Sequence, residues 1–251
     1  MNVGLGTGST ASFAVRRLAE RIQQGELTNI SCVSTSEETR KLAESLGISV
    51  FPLDGISLPL DVAIDGADEV LKTDTELVLI KGRGGALLRE KLVEVQSKSF
   101  VCIVDEDKLV TENNFGTTGA VPLEIVKFGA QTTRRAVLAA VVAALMEGGP
   151  QGAPLGAPLG APQADPEKAA QELGVSAVYR HLKGSNELFV SDNGNLCLDL
   201  FFKNPIKDPR KLHEKLIHVV GVVETGFFIG LSNLCIVGRP GGTTTRLAIS
   251  Q

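Results

Sequence analysis

The feature that most constrains this chain is the alternation, up to about Val104, of short aliphatic runs with longer amphipathic ones. Six short runs, Val3–Leu5, Asn29–Val33, Ser49–Phe51, Val62–Ile64, Leu77–Ile80 and Phe100–Val104, read as strands apolar on both faces, the pattern of a sheet covered on both sides. Between them Ala11–Gln24, Glu37–Leu46 and Ala86–Gln96 have helical character. Strands that alternate with helices are joined by crossovers and therefore run parallel. The expected class is α/β, with a Rossmann-like parallel sheet.

From about Pro122 the pattern changes. A long helix at Arg134–Met146 is followed by short strands and a further helix at Pro209–Ile217, and Asp192-Asn193-Gly194-Asn195 between Leu188–Val190 and Leu196–Leu200 is a hairpin signal. This predicts a second, smaller α+β domain, while Gly226–Val237 reads as buried strands returning to the first sheet. The expected division is residues 1–122 with 225–251 as an α/β catalytic domain and 123–224 as the smaller one. Within the latter, residues 148–166 repeat Gly-Ala-Pro-Leu and hold Pro150, Pro154, Pro158, Pro162 and Pro166, so the tract can bury little and has few donors for regular structure. It reads as a flexible surface insertion.

Composition narrows the function classes. Lys and Arg number 25 against 29 Asp and Glu, a net −4, which leaves no basic footprint for nucleic acid and no polybasic patch for a membrane surface. Aromatic residues make up 4% with no Trp, which argues against a base-stacking platform. The longest helical run free of charge and glycine, Ala136–Met146, is about half of the roughly 20 residues that span a bilayer. Cys32, Cys102, Cys197 and Cys235 are scattered without a Cys-x-x-Cys pair. They are expected to be buried thiols in a reducing, cytoplasmic compartment rather than a disulfide framework or a zinc site. The first strand and its glycine-rich turn begin at Asn2, so no removable signal peptide is expected ahead of them.

Four segments carry candidate chemistry. Gly4-Leu5-Gly6-Thr7-Gly8-Ser9-Thr10 follows the first strand and opens a helix, where free backbone N–H groups and the positive helix end cradle an anion and Thr7, Ser9 and Thr10 add hydroxyls. A phosphate fits there. Gly6-x-Gly8-x-x-Ala11 also matches the dinucleotide fingerprint, but the acidic residue expected at the end of the next strand is replaced by Ser34-Thr35-Ser36. A structural glycine turn is the remaining reading.

Asp65-Gly66-Ala67-Asp68-Glu69 puts three carboxylates at the carboxyl end of a buried strand, the edge where open α/β sheets place their ligands. Proton transfer and hydroxyl binding are the functional readings, and a turn in which Asp68 caps a helix is the bland one. A magnesium site would need further ligands. In Lys81-Gly82-Arg83-Gly84-Gly85 the glycines let a ligand approach the backbone and Lys81 can set a cation over a developing oxyanion, with a flexible loop as the alternative. On the helix that follows, the apolar stripe runs through Leu88, Leu92 and Val95. Glu90 points away from it, so taken alone it reads as a solvated carboxylate. Lys108, after Asp105-Glu106-Asp107, falls at the same ligand edge. His181, His213 and His218 share no spacing, and nothing supports a triad.

In this order the segments resemble the type A ribose-5-phosphate isomerases: Gly4 to Ala11, Asp65 to Glu69, Lys81 to Lys91, Pro122-Leu123-Glu124 and Ser191 to Asn195. The likeness covers nearly the whole chain apart from the proline-rich tract, which is foreign to the bacterial pattern. The family also carries a helix and the start of a strand ahead of its glycine loop, which this sequence does not show. The resemblance implies an aldose–ketose isomerase that interconverts D-ribose 5-phosphate and D-ribulose 5-phosphate through an enediol, in the non-oxidative pentose phosphate pathway. It implies no cofactor and no metal, a small phosphorylated sugar as ligand, and a homodimer or homotetramer assembled largely through the second domain. By the same resemblance Glu90 is the acid/base, Lys81 supports the developing oxyanion, and Asp65 and Asp68 hold sugar hydroxyls and assist ring opening. Substrate contacts then fall on Thr7, Gly8, Ser9, Thr10, Asp65, Gly66, Ala67, Asp68, Lys81, Gly82, Arg83, Gly84 and Lys108. Two rival readings are a non-catalytic sugar-phosphate sensor, which would keep the cradle without the base, and a nicotinamide-dependent dehydrogenase.

Overall fold

A computed structural model describes residues 1–146 and 165–249, and the chain divides into two compact units, Met1–Asn113 with Gly226–Gln251 and Asn114–Thr225. The first unit begins with β1 (Asn2–Leu5), α1 (Ser9–Gln23), β2 (Ser31–Ser34), α2 (Glu37–Ser45) and β3 (Val62–Asp65). It continues with β4 (Glu69–Lys72), β5 (Leu77–Ile80), α3 (Leu87–Val95), β6 (Phe100–Asp105) and β7 (Leu109–Val110). The second holds β8 (Val121–Ile125), α4 (Ala130–Met146), α5 (Pro166–Glu172), β9 (Val175–Tyr179), β10 (Leu196–Phe202), α6 (Pro209–Ile217) and β11 (Val222–Thr225). The chain then returns to the first unit as β12 (Phe227–Ile229), β13 (Leu234–Gly238) and β14 (Thr244–Ala248).

The main sheet of the first unit has the order β14-β13-β6-β3-β1-β2, parallel throughout except for the antiparallel edge strand β14. Because β1 lies between β2 and β3, the crossovers on its two sides diverge, and the carboxyl ends of β1 and β3 form a topological switch point. Helix α1 buries Ala11, Val15 and Ala19 beside the strand residues Val3 and Leu5. Ser36 caps α2 by accepting the Thr39 N–H.

The run Leu77–Ile80 does not join that sheet. As β5 it pairs antiparallel with β4 and β12 in a separate sheet ordered β12-β5-β4-β7. The cause is the short turn at residues 73–76, closed by Thr73 donating from its hydroxyl to Glu76 O, since a tight turn joins only antiparallel strands. β4 is unanticipated, hidden in an acidic stretch, and Ser49–Phe51 contributes only a bridge between Val50 and Cys32. Of the returning strands, β13 lies beside β6 in the main sheet and β12 goes to the second one.

In the second unit β11-β8-β10-β9 form an antiparallel sheet with α4, α5 and α6. Ser191 N–H donates to Asn195 O and Gly194 takes φ 81°, closing the Asn-Gly turn, but Leu188 and Val190 pair only at isolated bridges. That turn is tied to β8 by the buried Glu124, whose Oε1 accepts from Ser191 Oγ, Asn193 Nδ2 and Asn195 Nδ2 at 2.9, 3.0 and 2.9 Å. Residues 148–164 of the proline-rich tract lie outside the described residues. Its end is helical rather than loop, with Pro166 opening α5 and Asp165 accepting the Glu167 N–H. All four cysteines are buried and free. Among the described residues no helix is long and apolar enough to cross a membrane.

Candidate active site

The ends of β1 and β3 touch at a glycine. Gly6 N–H donates to Ile64 O at 2.9 Å, and a Cβ added at Gly6 would lie 2.1 Å from Asp65 Oδ1 and 2.6 Å from Asp65 Cα. Overpacking of that kind costs about 1–3 kcal/mol. Gly6→Ala is therefore expected to lower Tm by roughly 2–12 °C; an unchanged melting curve would show that the contact does not hold the loop.

Beyond Gly6 the chain turns into α1 through Gly8, whose φ of 99° suits glycine and whose Cα faces open space. No acidic residue occupies the first turn of α1, and Ser9 is exposed and Thr10 half-buried there. The helix end is an anion cradle in physical terms. Thr7 Oγ1 is hydrogen-bonded to Thr35 Oγ1 and Ser36 Oγ at 2.7 and 2.8 Å, and Thr39 Oγ1 donates to Gly6 O at 2.9 Å. The stretch after β2 that lacks a dinucleotide-type acid is thus the brace of the glycine loop.

Asp65, at the end of β3, accepts from Thr7 N–H at 3.0 Å and Gly66 N–H at 2.7 Å through Oδ1, and its Oδ2 lies 3.1 Å from Lys81 Nζ. Lys81 follows β5, anchored by its N–H on Gly226 O, and its ammonium donates to Gly66 O. Two further carboxyls face that ammonium: Glu94 Oε1 at 3.3 Å and Glu90 Oε1 at 3.6 Å. Phe100 and Phe228 rings lie 5.8 and 5.3 Å from the same nitrogen. Lys81 is 1% exposed, so every partner is felt with little screening. Burial alone would push its pKa down, but Asp65, Glu90 and Glu94 together outweigh burial and hold it well above the ordinary lysine value. Glu90 is pushed up to about 8, first by burial, against the opposing pull of Lys81 and with help from Asp65 and Asp68.

Glu90 corrects the solvated-carboxylate reading. Helix α3 buries Leu87, Glu90, Val93 and Glu94 and leaves Leu92 and Val95 exposed, so the stripe drawn through Leu92 and Val95 lies on the wrong face. The acidic run at 65–69 does not converge on one point either. Asp68 Oδ2 accepts the Arg83 N–H at 2.9 Å, and Glu69 pairs with the Arg83 guanidinium at 2.6 Å. Asp68 caps no helix, because strand β4 follows it. Gly82, at φ 98°, packs against Leu87, where a Cβ would lie 2.6 Å from that side chain. Gly84 approaches Thr7 Cγ2, and Ala67 is half-buried beside Gly66. Lys108 stands apart: its Nζ lies 3.4 Å from Asp107 Oδ2, and among the described residues no hydrogen bond or ion pair joins it to the Lys81 cluster.

The family model for ribose 5-phosphate isomerase A (phosphoriboisomerase A) matches residues 31–149 and 162–242. The chain belongs to that family. A ribose-5-phosphate isomerase A from Bacillus mycoides is 38% identical over 242 residues, 96% of this chain and 90% of the relative. A solved ribose 5-phosphate isomerase from Plasmodium falciparum is 33% identical with a TM-score of 0.81, covering 100% of this chain and 92% of that one. A further D-ribose-5-phosphate isomerase, solved in complex with phospho-erythronic acid, is 30% identical with a TM-score of 0.76 over 99% and 90% of the two chains. In this chain the residues that sequence reading missed are Glu94 and the brace Thr35, Ser36 and Thr39. Glu94 had a usable signal, being one helical turn from Glu90 on the same face.

Proposed function

We propose that this chain interconverts D-ribose 5-phosphate and D-ribulose 5-phosphate, with Glu90 as the base that moves the proton. The observation that carries the reading is the buried ammonium of Lys81 held among Asp65, Glu90 and Glu94 next to an open helix N-terminus. A phosphate on the N-terminus of α1 leaves the other end of a five-carbon sugar to be handled by the Lys81 cluster. Ionised Glu90 takes the C2 proton of the open-chain aldose, the C–H electrons form the C1–C2 double bond of the enediol, and negative charge develops on O1. Lys81 stabilises that charge. Glu90 returns its proton to C1 while the proton on O2 passes to O1, so that O1 becomes the hydroxyl and O2 the carbonyl of the ketose. Asp65 and Asp68 serve the sugar hydroxyls and ring opening, with Gly66, Ala67, Gly82, Arg83 and Gly84 lining the approach and Lys108 reaching for the phosphate.

A sensor needs the cradle alone, whereas burying one cation with three carboxyls is costly and serves no purpose in holding a phosphate. A dehydrogenase is disfavoured because Thr35 and Ser36 brace the loop where an acid would hold a ribose. The phospho-erythronic acid bound by a relative is a phosphorylated four-carbon acid, compatible with the same cradle. We assign catalysis to the first unit. Assembly as a homodimer or homotetramer falls to the second, which exposes Phe128, Val178, Phe201 and Val220. Four free, buried thiols support a cytoplasmic setting.

The test is appearance of ribulose 5-phosphate from ribose 5-phosphate with the purified full chain; no turnover by folded protein would sink the assignment. Because the base must be ionised, kcat/KM is expected to rise with pH around a midpoint near 8. A profile already flat from about pH 5 would show an ordinary carboxylate instead. The stability effect has the same origin. A folded pKa above the unfolded one stabilises fully below the usual carboxyl range, and that contribution is lost as pH rises through about 8.

A further inference from the structure

Glu94 has no part in the proton transfer assigned to Glu90, and it is the least supported acid of the cluster. Its side chain is fully buried one helical turn beyond Glu90, its Oε1 faces Lys81 Nζ at 3.3 Å, and no backbone N–H or hydroxyl donates to either oxygen. Asp65, by contrast, accepts from two backbone N–H groups, and Glu90 keeps part of its side chain open to solvent. The groups facing Glu94 are Lys81 after β5, Asp65 on β3, Glu90 on its own helix and Cys102 on β6, with Cys235 of β13 in register behind Cys102. Of these only Lys81 is cationic. Full ionisation of three carboxyls around one ammonium would bury about two uncompensated charges, which a dry site does not tolerate. One acid must keep its proton, and the one with neither an N–H donor nor any exposed side-chain surface is Glu94.

The geometry points to Glu94 as a positioning residue that stays neutral: its carboxyl oxygen braces the Lys81 ammonium toward Asp65 and Glu90 without cancelling its charge. Burial outweighs the opposing pull of Lys81 and puts the Glu94 carboxyl well above the usual range. An ionised Glu94 would pair with Lys81 and withdraw the charge that supports the developing oxyanion. The role in turnover rests on the isomerase reading; the protonation does not.

The test joins infrared difference spectroscopy to kinetics on the full chain. Above the Glu90 titration, wild type is expected to show the carbonyl stretch of a protonated carboxylic acid, lost in Glu94→Gln and kept in Glu90→Gln. Glu94→Gln keeps a neutral acceptor and is expected to hold kcat within about tenfold with the same acid limb. Glu94→Leu, similar in bulk but without an acceptor, is expected to lower kcat about a hundredfold with KM nearly unchanged. Absence of the protonated band in wild type, or a Glu94→Leu enzyme with wild-type kcat, would overturn the proposal. If the band is present but wild type turns over no sugar phosphate, the isomerase reading fails while the neutral Glu94 is supported.

Discussion

Glu90→Gln is expected to lower kcat for ribose 5-phosphate by about 10²–10⁴-fold while leaving KM within a few-fold. Glutamine has the shape of the carboxyl and can still face the Lys81 ammonium, but it cannot take the C2 proton. The lost factor corresponds to about 3–5 kcal/mol of transition-state stabilisation. Folding should not suffer. The wild-type side chain is buried, 3.6 Å from a cation shared with two other acids, and its charged form is disfavoured there. The amide removes that penalty, so Tm should hold at neutral pH and exceed wild type where Glu90 would be ionised. The pair of measurements separates chemistry from structure: a rate loss with an unchanged or raised Tm supports the base assignment. A variant within about tenfold of wild type in kcat would move the base elsewhere.

Sequence made the ends of the strands legible and left the face of the third helix obscure. The glycine loop and the acids after β3 each sit where chain direction in an α/β fold delivers functional groups, so their positions follow from the strand pattern alone. Helix α6 is read to its observed limits, Pro209–Ile217, because Asp208 and Pro209 mark its start. The face of α3 fails for a physical reason. Periodicity assigns apolar side chains inward and charges outward, but this helix turns Glu90 and Glu94 inward toward a buried ammonium and leaves Leu92 and Val95 at the surface. Only knowledge that Lys81 lies beneath it reverses that choice, and Lys81 arrives from a different sheet. The same limit hid the pairing of β5: its four apolar residues fit a buried parallel strand as well as the centre of an antiparallel one, and the deciding element, β4, was masked by its acidic neighbours. Local rules broke where the site was being built.

Lys81→Met carries the second large effect, in both stability and rate. The side chain it replaces is 1% exposed and lies within 3.1–3.6 Å of three carboxyls. Removing one partner of a buried ionic cluster costs about 3–5 kcal/mol, because the charges left behind lose their compensation. In a chain of this length that cost appears as a Tm fall of roughly 6–20 °C. The fall must depend on pH with a fixed sign. Without the ammonium, burial raises Glu90 and Glu94 further above their unfolded values, so the variant is least impaired at acid pH, where both are protonated in both states. It loses stability as pH rises through the raised folded values. The rate should drop by about 10²–10³-fold even where the variant is folded, since methionine fills the space but offers no charge to the oxyanion. Lys81→Arg separates the two roles: the guanidinium keeps the charge and much of the stability, but its planar fork cannot occupy the point between Asp65, Glu90 and Glu94 and should not restore the rate. A Lys81→Met protein that melts with wild type at every pH would show that the carboxyls are held by something other than this ammonium. The electrostatic account of the site would then fail at its centre.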